Sequence, residues 1–91
     1  MEANILFKNK NSDGTLNISG KNIKILRSRL IPRVSQRGLA DKLQLIGADL
    51  DKNAIQKIES GKRFITDIEL KAFSTVFNIS TDVLLDNAEF L

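Results

Sequence analysis

The chain has 91 residues, 14 of them lysine or arginine and 11 aspartate or glutamate, for a net charge of +3. It holds no cysteine and no histidine, which removes thiol nucleophiles, the usual general base, disulfide staples and Cys/His metal sites. With 42% apolar residues at this length, the composition predicts one small globular domain with a single core.

The leader, residues 1–8, holds too short an apolar stretch for a signal peptide, and no run approaches the roughly 18 residues that span a bilayer. With the missing cysteines, this gives the expectation of a cytoplasmic protein. Charge is unevenly placed along the chain. Residues 20–64 carry eleven basic side chains against four acidic ones, residues 65–91 sum to −4, and the first nineteen balance. A basic block of this kind points to a polyanion partner. Lysines and arginines that merely solvate helix faces would give the same count, so charge alone leaves both readings open.

Along the chain, Ile5-Leu6-Phe7, the turn-forming Asn11-Ser12-Asp13-Gly14 and the alternation Thr15-Leu16-Asn17-Ile18 predict a weak β-hairpin that packs on the domain or stays a mobile arm. A first helix is expected over about 21–30, with Ile23, Leu26 and Leu30 on one stripe, stopping ahead of Pro32. A second follows Ser35 as N-cap and turns Leu39, Ala40 and Leu43 inward. Leu45, Ile46 and Leu50 are the expected anchors of the loop that follows.

The third helix is the informative one. Asp51 is its expected N-cap, Ile55 and Ile58 its inward pair, and Gly61 its left-handed stop. At about 100° per residue Glu59 falls beside the core, while Asn53, Gln56, Lys57 and Ser60 fall on the opposite face. Asn, Gln and Lys on one outward face, with Lys52 at the start, are side chains that pair with base edges and phosphates. An ordinary polar helix face has the same composition.

Thr66-Asp67-Ile68-Glu69 opens a fourth helix with a capping box, and Ile68, Leu70, Ala72, Phe73, Val76 and Phe77 are its expected buried residues. A fifth starts from Ser80 with Val83, Leu84 and Leu85 inward, and Phe90 and Leu91 lie beyond it. Short connections make this an all-α, five-helix unit over residues 20–86, with 1–19 as arm or hairpin and 87–91 as tail.

In this order, Ile25-Leu26-Arg27, Ser35-Gln36-x-x-Leu39-Ala40-x-x-Leu43, Ile55-x-x-Ile58-Glu59-Ser60-Gly61-Lys62-Arg63, Val76-Phe77-Asn78-Ile79-Ser80 and Val83-Leu84-Leu85 resemble the Cro/CI (XRE) helix-turn-helix family of phage repressors and bacterial regulators. The resemblance implies a lambda-repressor-like fold. Two stretches are longer than in the family: the loop from residue 43 to 51, and residues 28–34 with Pro32 inside. By the resemblance, Lys52, Asn53, Gln56 and Lys57 contact bases in the major groove. Gln36 and the neighbouring Arg37, with Ser60, Lys62 and Arg63 after the third helix, contact phosphates. Arg27 and Glu59 form a structural ion pair, in agreement with the wheel that put Glu59 at the core edge.

The expected function is sequence-specific binding of double-stranded DNA, as a transcriptional repressor or regulator acting as a homodimer, with no cofactor, metal, membrane or catalytic role. An antitoxin-like or adaptor module that uses the same helices to bind a protein is the alternative. A carboxylate enzyme built on Asp49 and Asp51 is the weakest reading, since the two flank a helix start, where the helix dipole stabilises acids.

Overall fold

The N-cap signals in the sequence are used where they stand. Ser35 Oγ accepts from the Gly38 N–H at 2.9 Å and Asp51 Oδ1 from the Ala54 N–H at 2.8 Å. Thr66 and Glu69 exchange hydrogen bonds as a full capping box. These caps open three of five helices in the computed structural model, which describes residues 10–86: α1 (Gly20–Arg29), α2 (Gln36–Leu45), α3 (Lys52–Glu59), α4 (Asp67–Phe77) and α5 (Thr81–Leu85). The fold is all-α, with no strand among the described residues.

Helix ends also follow the chemistry. Gly61, at φ 77°, lets the Lys62 N–H turn back to the Lys57 carbonyl at 2.8 Å and stop α3. The α2 end closes likewise, with Ala48 N–H on the Leu43 carbonyl at 2.9 Å. That back-turn begins the long loop to α3. Ile23 of α1, Leu39 and Leu43 of α2, Ile55 and Ile58 of α3, Phe73 of α4 and Leu84 of α5 meet in one fully buried core. α3 packs between α1 and α2, so its apolar edge is consumed and only its polar face is left outward.

Four expectations are corrected. Residues 10–18, the described part of the stretch expected as a hairpin, form no strand. The Asn11 N–H reaches the Thr15 carbonyl at 2.8 Å, and Asp13 Oδ1 accepts from the Thr15 N–H and hydroxyl at 3.0 and 2.7 Å, closing a local turn. The Leu16 N–H and the Asn17 side-chain amide then bond to carbonyls around the end of α3. Ile68, placed inward from its apolar character, is 78% exposed, because five residues before Phe73 is about 140° round the helix. Leu85 is likewise half-exposed beside buried Leu84. Of the three loop anchors only Leu50 is buried, while Leu45 is 86% exposed and Ile46 about half. Leu45 stands two residues past Leu43, on the far side of α2. The Ile5-Leu6-Phe7 and Phe90-Leu91 stretches lie outside the described residues.

Candidate nucleic-acid interface

α3 is an eight-residue helix with one side sunk in the core, so its outward residues are fixed by elimination. Lys52, Asn53, Gln56 and Lys57 are all exposed, and none of their side chains has a hydrogen-bond or ion-pair partner among the described residues. Two cations and two amides on one rigid face can donate to phosphates and to acceptors on base edges, and the amides can also accept. The helical wheel puts Asn53, Gln56, Lys57 and Ser60 opposite the core, and these four and Lys52, at the start of the helix, are all exposed.

The orientation of α3 is held by a buried polar junction at its C-terminal end. Glu59 is 8% exposed. Its Oε2 accepts from Arg27 Nε at 2.8 Å and its Oε1 from Arg27 Nη2 at 2.9 Å and Gln36 Nε2 at 3.0 Å. Arg27 Nη1 also donates to the Val34 carbonyl at 3.1 Å. The hydrogen bonds to Glu59 outweigh desolvation and raise the Arg27 pKa further, so the guanidinium stays charged. α1, α2 and α3 therefore meet on one carboxylate.

The residues expected at phosphates are more varied in position. Arg37 and Lys62 are exposed and without a side-chain partner among the described residues. The Gln36–Glu59 bond brings the start of α2, where Arg37 stands, to the end of α3, three residues before Lys62. Gln36 itself is half-buried and has one amide hydrogen committed to Glu59. Ser60 is exposed, with its hydroxyl donating to the Lys57 carbonyl at 3.2 Å. Arg63 stands apart from the expectation. Its Nη1 and Nη2 donate to Glu69 Oε1 and Oε2 at 2.8 and 2.9 Å, and Nη1 also donates to the Phe64 carbonyl. Those bonds raise the Arg63 pKa and hold the Glu69 carboxyl below its usual range, against desolvation. Asp51, considered above for catalysis, has an oxygen occupied as the α3 cap.

Three structural residues escaped the sequence reading. Glu69 completes the capping box, but no short-range rule pairs it with an arginine six residues earlier. Asn22 sits buried on α1 and donates to the Leu84 and Asp86 carbonyls at 2.8 and 2.7 Å, tying α1 to the end of α5. Asn17 bonds to α3 and to the loop after it. A lone amide inside an apolar alternation was the only available signal for it.

No helix among the described residues is long and apolar enough to cross a membrane, and no group of three or more metal-ligating side chains lies among them. No protein-family model, curated protein or solved structure matches the chain.

Proposed function

We propose that the protein is a cytoplasmic, sequence-specific double-stranded DNA-binding protein of the helix-turn-helix kind with a lambda-repressor-like fold, acting as a transcriptional regulator. One observation carries this reading: α3 presents Lys52, Asn53, Gln56 and Lys57 unpartnered on its outward face while Glu59, Arg27 and Gln36 lock its inner end. A helix seated in the major groove needs both features, free donors and acceptors toward the bases and a fixed angle to the rest of the domain. Arg37, at the start of α2, and Lys62, beyond α3, supply cations for the flanking phosphates, and the first-turn amides of α2 add to the attraction.

An eight-residue helix reads too few base pairs to single out one genomic site, so two copies on paired half-sites complete the reading. Selection of bound sequences from a random duplex pool, followed by gel shifts across a salt series, tests it. A common motif and retardation that weakens steeply with salt are expected; no retardation at low salt overturns the proposal.

The alternative of a protein-binding module has one observation in its favour. Exposed Ile46 and Ile68 flank an open groove of about 340 Å³ floored by Gly47, Ala48 and Ala72. Substituting both isoleucines by serine is expected to leave DNA retardation unchanged.

A further inference from the structure

We infer that Asn17 is a positioning residue, which holds the end of α3 and the loop after it in the pose from which Lys62 meets a phosphate. This rests on the DNA-binding reading. The Asn17 amide makes two bonds across long stretches of sequence and one close by. Its Nδ2 donates to the Ile58 carbonyl at 3.0 Å and to the Arg63 carbonyl at 2.8 Å, while Oδ1 accepts from the Gly20 N–H at 2.7 Å. An amide nitrogen has two hydrogens, and both are committed here. The two carbonyls bracket Glu59, Ser60, Gly61 and Lys62, so a single side chain fixes both ends of the segment from which Lys62 extends.

The surroundings reinforce the bracket. The Leu16 N–H donates to the Gly61 carbonyl at 2.8 Å, between the two Asn17 bonds. A Cβ added at Gly61 would lie 2.6 Å from the Thr15 methyl, and one added at Gly20 would collide with the Ile58 carbonyl. Residues 15–20 are thus pressed onto the last turn of α3 at two glycines. On the other side, the Arg63–Glu69 pair ties the same loop to α4. Asn17 is not itself one of the buried core side chains, and its two donor bonds both go to backbone at the end of α3 and the loop after it. A loop already ordered loses less entropy when it grips a ligand, which is how a residue that never touches DNA adds to affinity.

The test compares wild type, Asn17→Leu, Lys62→Ala and the double variant, all at a temperature where circular dichroism shows each fully folded. Leucine matches asparagine in shape and lacks all three polar contacts. Without DNA, amide exchange at Gly61 and Lys62 is expected to quicken by about tenfold or more, with Leu43 and Ile55 unchanged. With DNA, Asn17→Leu is expected to bind every duplex about tenfold more weakly and to lower the salt slope by about one unit, matching Lys62→Ala. The double variant is expected to be no worse than Lys62→Ala alone.

Unchanged exchange in the loop overturns the bracket. Quickened exchange with unchanged affinity and slope overturns the positioning role and leaves Asn17 as a stability residue. A wild-type chain that fails to retard duplex DNA overturns the DNA reading and the role of Lys62 with it, while the exchange data still decide the bracket. If Asn17→Leu does not fold, Asn17→Asp keeps the acceptor toward Gly20 and loses only the two donors. Ser12→Asp, on the exposed turn nearby, controls for the added charge.

Discussion

Arg27 on α1 and Glu59 at the end of α3 are joined by two hydrogen bonds of 2.8 and 2.9 Å, with their side chains only 15% and 3% exposed. Such a pair repays its desolvation only while both members are present. Arg27→Met or Glu59→Leu alone leaves a lone buried charge and is expected to cost on the order of 3 kcal/mol in urea unfolding. Arg27→Met combined with Glu59→Leu is expected to recover much of that loss. Single variants as stable as wild type would show that the pair does not hold the junction.

The outward face of α3 and the loop after it are expected to fail differently. Asn53→Ala, Gln56→Ala and Lys57→Ala each remove a group that is free to pair with a base edge. Each is expected to weaken the selected site by about 1–3 kcal/mol and relax base preference. Lys62→Ala is expected to weaken all duplexes alike and lower the salt slope by about one unit, as one phosphate contact is lost. Retained base preference in all three helix variants, measured on a panel of singly mutated sites, would move the recognition face elsewhere.

What was legible in the sequence divides along the range of the interaction. Ser35, Asp51, Gly61 and the Thr66–Glu69 box act on backbone within about five residues, so their chemistry is written locally and the helix boundaries follow from it. The α3 face is equally local, since eight residues of one helix define it. Asn17 with Ile58 and Arg63, and Asn22 with Leu84, are pairings across 41 residues or more, and no periodicity announces them. The errors at Leu45, Ile68 and Leu85 have another origin. Leu45 belongs to the last turn of α2 rather than to the loop, Ile68 and Leu85 stand beside an inward stripe, and at all three the angle on the helix puts an apolar side chain toward solvent.

That distinction makes a stability prediction on α4. Phe73 is fully buried in the core and Ile68, one and a half turns earlier, is mostly in water. Phe73→Ala is expected to cost about 3–5 kcal/mol from lost burial and a residual cavity. Ile68→Ser is expected to stay within about 0.5 kcal/mol of wild type. Thermal unfolding of the two variants side by side checks both; a large loss at Ile68 would mean that this face of α4 is covered.

The Arg63–Glu69 pair is expected to add to the acid sensitivity of the fold. Hydrogen bonds from Arg63, then from the Thr66 N–H, hold the folded Glu69 pKa below the ordinary value of 4.5 despite partial desolvation. A carboxyl whose pKa is lowered by folding contributes stability that is complete above its unfolded pKa and is lost as pH falls through the folded one. Asp13 acts in the same sense lower down, since the Thr15 N–H and hydroxyl draw its pKa from 3.8 to about 2. Glu69→Gln keeps an acceptor for the Thr66 cap but loses the charge facing Arg63. The expected cost is about 1 kcal/mol at pH 7, modest because the pair is only partly buried. The difference from wild type is expected to shrink below pH 4.5 and vanish once wild-type Glu69 is protonated, leaving the variant with the shallower acid limb. Urea midpoints from pH 7 to pH 2.5 measure it, and a gap that stayed constant across that range would show that the pair's charge contributes nothing to the fold.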